Sequence, residues 1–226
     1  VDTVAVDQPA VLLNCPSGTG TVTPKLATPT GLLGSYVTAT LAKNGASTYC
    51  VAAAINTALQ VLGSCVLPAA PFTRAAFWST PSVAAVVLNL PNFTGDTVGK
   101  RNGGMFLNDL GHIIYWYQMA DGRRNVGYSD PVHNIVLPIP PLHVGATVMA
   151  SGLGNNDLVV VAGENGSENT QAAIFNPASP AVVTPVPLFG GGAHSVLSAI
   201  SRSGSYAVGV ADDSNHDANA VMTTLP

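Results

Sequence analysis

Charged residues are scarce in this chain. Asp, Glu, Lys and Arg make up 9% of its 226 residues, against roughly 25% in an average soluble protein. Eight basic side chains and a net charge of −4 leave no basic footprint for a phosphate backbone, which excludes a nucleic-acid partner. The motifs of the common chemistries are also missing. No HExxH, GxSxG or Walker sequence occurs, and no CxxC or Cys/His spacing points to zinc. Neither a metal nor a cofactor is therefore expected, and no catalytic residue can be nominated. Cysteine is rare and odd in number, with Cys15, Cys50 and Cys65 only, so a pure disulfide framework within one chain is impossible. A long hydrophobic run is absent too. No charge lies between Lys43 and Arg74, but Asn44, Asn56, Gln60, Ser64, Pro68 and Pro71 interrupt that stretch, and no membrane span is expected.

What is present is hydrophobic and punctuated. Hydrophobic residues make up 47%, which excludes a disordered chain, and 23 Gly and 17 Pro are spread along the sequence. That spacing is the punctuation of many short strands. The chain starts at Val1, without an initiator Met or a basic leader region, which reads as a removed signal peptide or a trimmed terminus. With the low charge and the scattered Thr, Ser, Asn and Gly, this favours a secreted, periplasmic or cell-surface protein.

Four short segments recur in order. Segment d is apolar and ends in Pro and Gly: residues 21–26, 86–91, 135–140 and 182–187. Segment a ends in a tight polar turn: 39–45, 105–111, 151–157 and 199–204. Segment b is apolar on both faces: 48–52, 112–116, 158–162 and 206–210. Segment c follows a polar loop: 75–81, 125–129, 172–177 and 220–224, with an extra copy at 10–14. Four short strands in a unit of about 47 residues are the signature of propeller blades. The expected fold is all-β, a small β-propeller of about four four-stranded blades, with a β-sandwich as the alternative. Residues 1–20 are set apart as an N-terminal strand segment, and residues 21–226 as the four-repeat domain.

The strings Leu107-Asn108-Asp109-Leu110-Gly111-His112-Ile113-Ile114, Gly152-Leu153-Gly154-Asn155-Asn156-Asp157-Leu158-Val159-Val160-Val161 and Ala172-Ala173-Ile174-Phe175-Asn176-Pro177 resemble the bacterial HAF-type extracellular repeat. The resemblance covers most of residues 35–224, although the Gly-Gly and Trp signatures are mostly missing. It implies an exported, propeller-like protein and carries no catalytic residues.

The first copy departs from the pattern by an insertion at about 55–73, in which the Ala-rich run 52–60 reads as a short helix. Cys50 and Cys65 bracket most of it. A disulfide between them would close a loop of about 15 residues, worth about 3 kcal/mol in the chain-entropy model. Pairing of Cys15 with either, or three buried free thiols, are the alternatives.

In an up-and-down blade, a–b and c–d turns share one face, and b–c and d–a loops share the other. The second face collects the insertion and the longer loops, 92–104, 119–124, 163–171 and 211–219, so a ligand is expected there. Within it, Asp213, Asn215 and Asp217 have calcium-like D-x-N-x-D spacing, but the Gly and distal Glu of an EF-hand are absent. A solvated hairpin loop is the simpler reading. Glu164 and Glu168 read as surface carboxylates. The histidines 112, 133, 143, 194 and 216 have no ligand spacing, and Gly190-Gly191-Gly192 precedes a strand and reads as a turn. Tyr115-Trp116-Tyr117 is the densest aromatic cluster. It reads as core, with sugar stacking by Tyr117 as the functional alternative. Lys100-Arg101 and Arg123-Arg124 read as a small basic patch or as solubilising charge. Asn92 and Asn165 open glycosylation sequons that matter only in a secreted eukaryotic protein.

Two functions follow. One is an exported, non-enzymatic binding or interaction module for a protein or carbohydrate ligand. The other is a propeller-type glycan hydrolase using carboxylates of the long-loop face.

Overall fold

A computed structural model of the chain describes residues 11–16, 22–29, 36–45, 47, 49–68, 70–91, 93, 101–187 and 190–226. Every regular element among them is a β-strand. The first sheet joins β1 (Val11–Pro16), β2 (Val22–Pro29) and β3 (Tyr36–Thr40). The second joins β4 (Tyr49–Ile55), β5 (Val61–Leu67), β6 (Ala70–Trp78) and β7 (Val86–Val87). The third joins β8 (Asn102–Leu107), β9 (Ile113–Gln118), β10 (Arg124–Asp130) and β11 (Ile135–Pro138). The fourth joins β12 (Val148–Leu153), β13 (Val159–Glu164), β14 (Thr170–Phe175) and β15 (Val183–Pro185). The last joins β16 (Gly191–Ile200), β17 (Tyr206–Asp213) and β18 (Ala218–Thr224). Strand order follows chain order within each sheet, so the sheets are antiparallel meanders of the kind that form propeller blades. The chain divides into two compact units, Val1–Tyr117 and Gln118–Pro226.

One backbone irregularity marks the repeat more sharply than any residue string. The pairing shifts between Ala52 and Ala54 in β4, Gly104 and Phe106 in β8, Ala150 and Gly152 in β12, and Leu197 and Ala199 in β16. In each case one extra residue of a blade's first strand bulges out of the ladder, which bends the strand and sharpens its twist. Each bulged strand then enters the same turn. The N–H of Leu59, Gly111, Asp157 and Gly204 donates to the carbonyl three residues back, at Asn56, Asn108, Gly154 and Ser201, over 2.8–3.1 Å. Each donor residue has a positive φ, between 59° and 84°. A type I turn closed by a left-handed residue is a common three-residue hairpin connection.

This equivalence corrects the first copy. Its segment a is β4, not residues 39–45, and Tyr49–Ala52 belong to that same first strand rather than to segment b. Residues 55–73 are no insertion. They hold the end of β4, the turn, all of β5 and the start of β6. Ala52–Gln60 forms no helix, because β4 pairs with β5 from Tyr49↔Val66 to Ile55↔Val61, and sheet pairing overrides the helical preference of an alanine run. Lys43-Asn44-Gly45 has hairpin-turn chemistry, yet it leads from the first sheet to the second. Of the N-terminal segment set apart as residues 1–20, Val11–Pro16 belongs to a sheet, since β1 pairs with β2 from Val11↔Ala27 to Pro16↔Val22; residues 1–10 and 17–20 lie outside the described residues. Five sheets result among the described residues, with four strands in the middle three and three strands in the first and last.

The first unit buries Leu26, Leu41, Val61, Ala76 and Trp78 in one cluster with Cys50 and Cys65. The Trp78 indole N–H is satisfied by the Ala42 carbonyl at 2.7 Å. Gly103 and Gly104 bring β8 close to its neighbours, where an added Cβ would meet the Trp116 indole and Ser64 Oγ at 2.4 and 2.5 Å, and Leu62 Cγ at 2.4 Å, respectively. Beside them Asn102 is fully buried. Its Oδ1 accepts from Ala75 N–H at 2.8 Å and its Nδ2 donates to the Leu90 carbonyl at 3.2 Å. Asn102→Ala leaves both buried backbone groups unpaired and is expected to cost about 2 kcal/mol, read as a lower midpoint in urea unfolding. The second unit buries Leu158, Val160, Ala172, Ile174, Leu197 and Ala207. A similar polar link recurs there, with Ala172 N–H donating to Ser195 Oγ at 3.0 Å.

Candidate functional site

The second unit carries a cleft of about 730 Å³ on the long-loop side of the fourth sheet. Its walls come from the turn that leads into β10, the connection from β11 to β12, the ends of β12, β13 and β14, and Val196 of β16. The polar lining groups include Arg123, His143, Glu164 and Thr170, and the apolar ones include Val144, Met149 and Val196. The last three are 90%, 71% and 40% exposed, so the cleft offers aliphatic side chains beside its polar groups.

Each polar wall is fixed by local bonds. Arg123 Nε donates to Asp121 Oδ2 at 2.7 Å, and its Nη1 donates to the Gly145 carbonyl, also at 2.7 Å. The guanidinium thus ties the turn at 119–123 to the loop at 143–146. The Arg123 backbone N–H, followed by its guanidinium, holds the Asp121 carboxyl below its ordinary value. His143 closes a turn by accepting the Ala146 N–H at 3.1 Å, and its ring lies against Gly166. Glu164 ends β13 immediately before a turn built by Asn165, whose Oδ1 accepts from Ser167 and Asn169 N–H at 2.9 and 3.2 Å. Glu168 takes the left-handed position of that turn, at φ 62°, and does not line the cleft. On the far wall Thr170 N–H donates to His194 Nδ1 at 3.2 Å.

Two acids converging here would support hydrolysis by a carboxylate pair. Among the described residues the cleft holds one, Glu164. Glu164 has no ion-pair or hydrogen-bond partner among the described residues, whereas the positive charge of Arg123 is met by Asp121.

The other sequence candidates go elsewhere. Asp213 spends its carboxylate on its own hairpin: Oδ1 accepts from Asn215 and Asp217 N–H at 2.8 and 3.2 Å, and Oδ2 from Asn219 Nδ2 at 3.4 Å. This is the solvated hairpin loop rather than a calcium loop. Those backbone donors hold its pKa below the ordinary 3.8. Asp212 is lowered as well, first by the His194 backbone N–H. A carboxyl whose folded pKa lies below its unfolded one stabilises above the unfolded value, and loses that contribution as pH falls through the folded one. The turn at 213–217 is therefore expected to hold at neutral pH and to loosen below about pH 4. Amide exchange of Asn215 and Asp217 reads this directly. Asp213→Asn keeps the acceptor oxygen and should remove the acid sensitivity.

His112 N–H donates to Asn108 Oδ1 at 2.9 Å, within a hairpin turn. His133 pairs through Nδ1 with Asp130 Oδ2, and His216 lies 3.7 Å from Asp212. Gly190 and Gly191 take positive φ as β16 begins, so the glycine run is a turn. Tyr115 and Tyr117 are buried. The Tyr115 hydroxyl donates to the Pro91 carbonyl at 3.2 Å, and burial pushes its pKa up. Tyr117 meets Phe93 edge-to-face at 5.4 Å, so the cluster is core and Tyr117 is not a sugar platform. Arg101 stacks over Phe72 at 5.4 Å. Lys100 and Asn92 lie outside the described residues. Cys50 and Cys65 form a disulfide of 2.00 Å between facing positions of β4 and β5. The Cys15 side chain lies outside the described residues.

The sequence named the face, but not the bridge from Arg123 to Gly145 or the exposed aliphatics of β12. Their only prior signal was an Arg in a tight turn, at a distance no spacing rule covers.

No family model matches this chain, and no curated protein matches it in sequence. Solved structures do match it. TolB from Acinetobacter baumannii superposes with a TM-score of 0.57 at 12% identity, over 95% of this chain and 49% of that one. A structure from an analysis of two prolyl endopeptidases superposes with a TM-score of 0.55 at 13% identity, over 96% of this chain and 34% of that one. Both are β-propeller proteins, and likeness at such identity shows the fold alone. The fold is a β-propeller, and the chain spans half or less of the length of these two structures.

Proposed function

We propose that this chain is an exported, non-enzymatic binding module whose ligand occupies the cleft beside β12. The observation that carries this reading is the cleft itself. It joins bare aliphatic side chains to a few fixed polar groups on a rigid sheet, the usual make-up of a ligand site. The Cys50–Cys65 disulfide supports export, since such bonds persist in oxidising compartments, and the HAF-type resemblance points the same way. Among the described residues no helix is long and apolar enough to cross a membrane.

The hydrolase reading needs a second acid, and among the described residues the cleft supplies Glu164 alone. Incubation of the purified protein with panels of glycans and peptides, followed for both binding and product release, separates the two. Saturable binding without turnover is expected. Turnover that Glu164→Gln abolishes would overturn the proposal.

A further inference from the structure

Resting on the cleft as the binding site, we propose that its ligand is an extended peptide segment carrying a primary amine, bound along β12 with the amine on Glu164. Three features of the cleft lead to this class of ligand.

The first is charge. Glu164 and Arg123 are the cleft's carboxylate and guanidinium. Arg123 is neutralised by Asp121 at 2.7 Å, and its Nη1 is occupied by the Gly145 carbonyl. Glu164 keeps an uncompensated negative charge among the described residues, so the complementary group is a cation. An ammonium group, compact and with three donors, suits a single carboxylate better than a planar guanidinium that seeks two parallel acceptors.

The second is the lining. Among the described residues, no Trp, Tyr or Phe lines the cleft. Pyranose rings are commonly held by stacking on aromatic faces, and this site offers aliphatic chains instead: Val144, Met149 and Val196. Such a surface accepts the aliphatic side chains of a peptide.

The third is the backbone. β12 is the edge strand of its sheet, with β13 on one side only, and Met149, Ala150 and Ser151 of β12 line the cleft. An edge strand presents N–H and C=O groups that an extended peptide can extend as a further strand; here the Val148 N–H is already taken by Asn125 Oδ1 at 3.2 Å, so the stretch on offer begins at Met149. Side chains of such a peptide alternate, which sets aliphatic residues against Met149 and Val196 while the amine reaches Glu164, at the end of β13.

The test uses the full chain and four probes: an end-blocked hexapeptide of alternating Val and Thr carrying one Lys, the same peptide with Nε-acetyl-lysine, the same with Glu, and cellohexaose. Titrations are followed by fluorescence anisotropy or calorimetry. The lysine peptide is expected to bind best. Acetylation should weaken it about five-fold, the scale of one exposed ion pair, and raised salt should erase most of that difference. Glu164→Gln should make the lysine and acetyl-lysine peptides equivalent. Val196→Trp, which projects an indole into the cleft, should abolish binding of all peptides. Met149→Arg, at an exposed position of β12, serves the same purpose if the tryptophan variant misfolds. Equal binding of the lysine and acetyl-lysine peptides, or binding of cellohexaose alone, overturns the ligand class while leaving the cleft as the site, provided Val196→Trp or Met149→Arg removes it. Binding insensitive to both variants, or no binding by any probe, overturns the ligand class and the cleft together.

Discussion

Replacing Gly63 with alanine should destabilise the first unit by about 3 kcal/mol, a large loss for one methyl group. Gly63 lies in β5 opposite Ala52, at the edge of the bulge in β4. A Cβ built there would stand 2.1 Å from the Val51 carbonyl oxygen and 2.9 Å from Ala52 Cα. Both are backbone atoms, so no side-chain rotation relieves the clash, and the ladder beside Cys50 must open. The position recurs in the last sheet. Gly209 faces Leu197 at the corresponding bulge, and a Cβ there would lie 2.0 Å from the Val196 carbonyl oxygen. Gly209→Ala should therefore damage the second unit in the same way. In the sheets between, Tyr115 and Val161 occupy the matching positions opposite Gly104 and Ala150, so a side chain is accommodated there. Thermal unfolding is expected to show a drop of roughly 10 °C for each variant. Wild-type stability in both would contradict the close backbone approach at Gly63 and Gly209.

Removing the disulfide should be comparably costly. Cys50 and Cys65 face each other across the first hairpin of the second sheet, 15 residues apart, and both are buried in the core cluster with Trp78 and Val61. The bridge restricts the unfolded chain by about 3 kcal/mol for a loop of this length. It joins the very two strands that the bulge bends, so its loss should be felt as faster amide exchange in β4 and β5. The double variant Cys50→Ala/Cys65→Ala should lose roughly 10 °C of thermal stability and become indifferent to reductant. A wild-type midpoint that reductant does not move would show that the bridge contributes nothing.

The β-propeller was legible in the sequence because its signal is distributed: apolar segments in b and c, prolines ending d, and polar turns after a, each repeated. The first copy was misread for a physical reason. Asn44-Gly45 has the chemistry of a hairpin turn and yet connects two sheets, while Asn56, which does open a hairpin, sits in an alanine run that mimics a helix. The deeper regularity is the bulge followed by a type I turn. It could not be read, because its bulged residues are Ala53, Met105, Ser151 and Ser198. No chemistry is common to all four, and backbone register alone defines the position. The disulfide was inferred from bracketing and found in facing strands. The cleft was reached only as a face. Its walls depend on Arg123 reaching the Gly145 carbonyl and on Met149 pointing outward from an edge strand, and neither is encoded in a local motif.

Ligand entry into the cleft beside β12 is read from backbone amide shifts of the isotopically labelled protein as the lysine-bearing hexapeptide is added. Saturable shifts are expected at Gly145, Met149, Ser151, Glu164 and Val196. Shifts confined to the opposite turns, at Gly154–Asp157 and Asn176–Ser179, would contradict it.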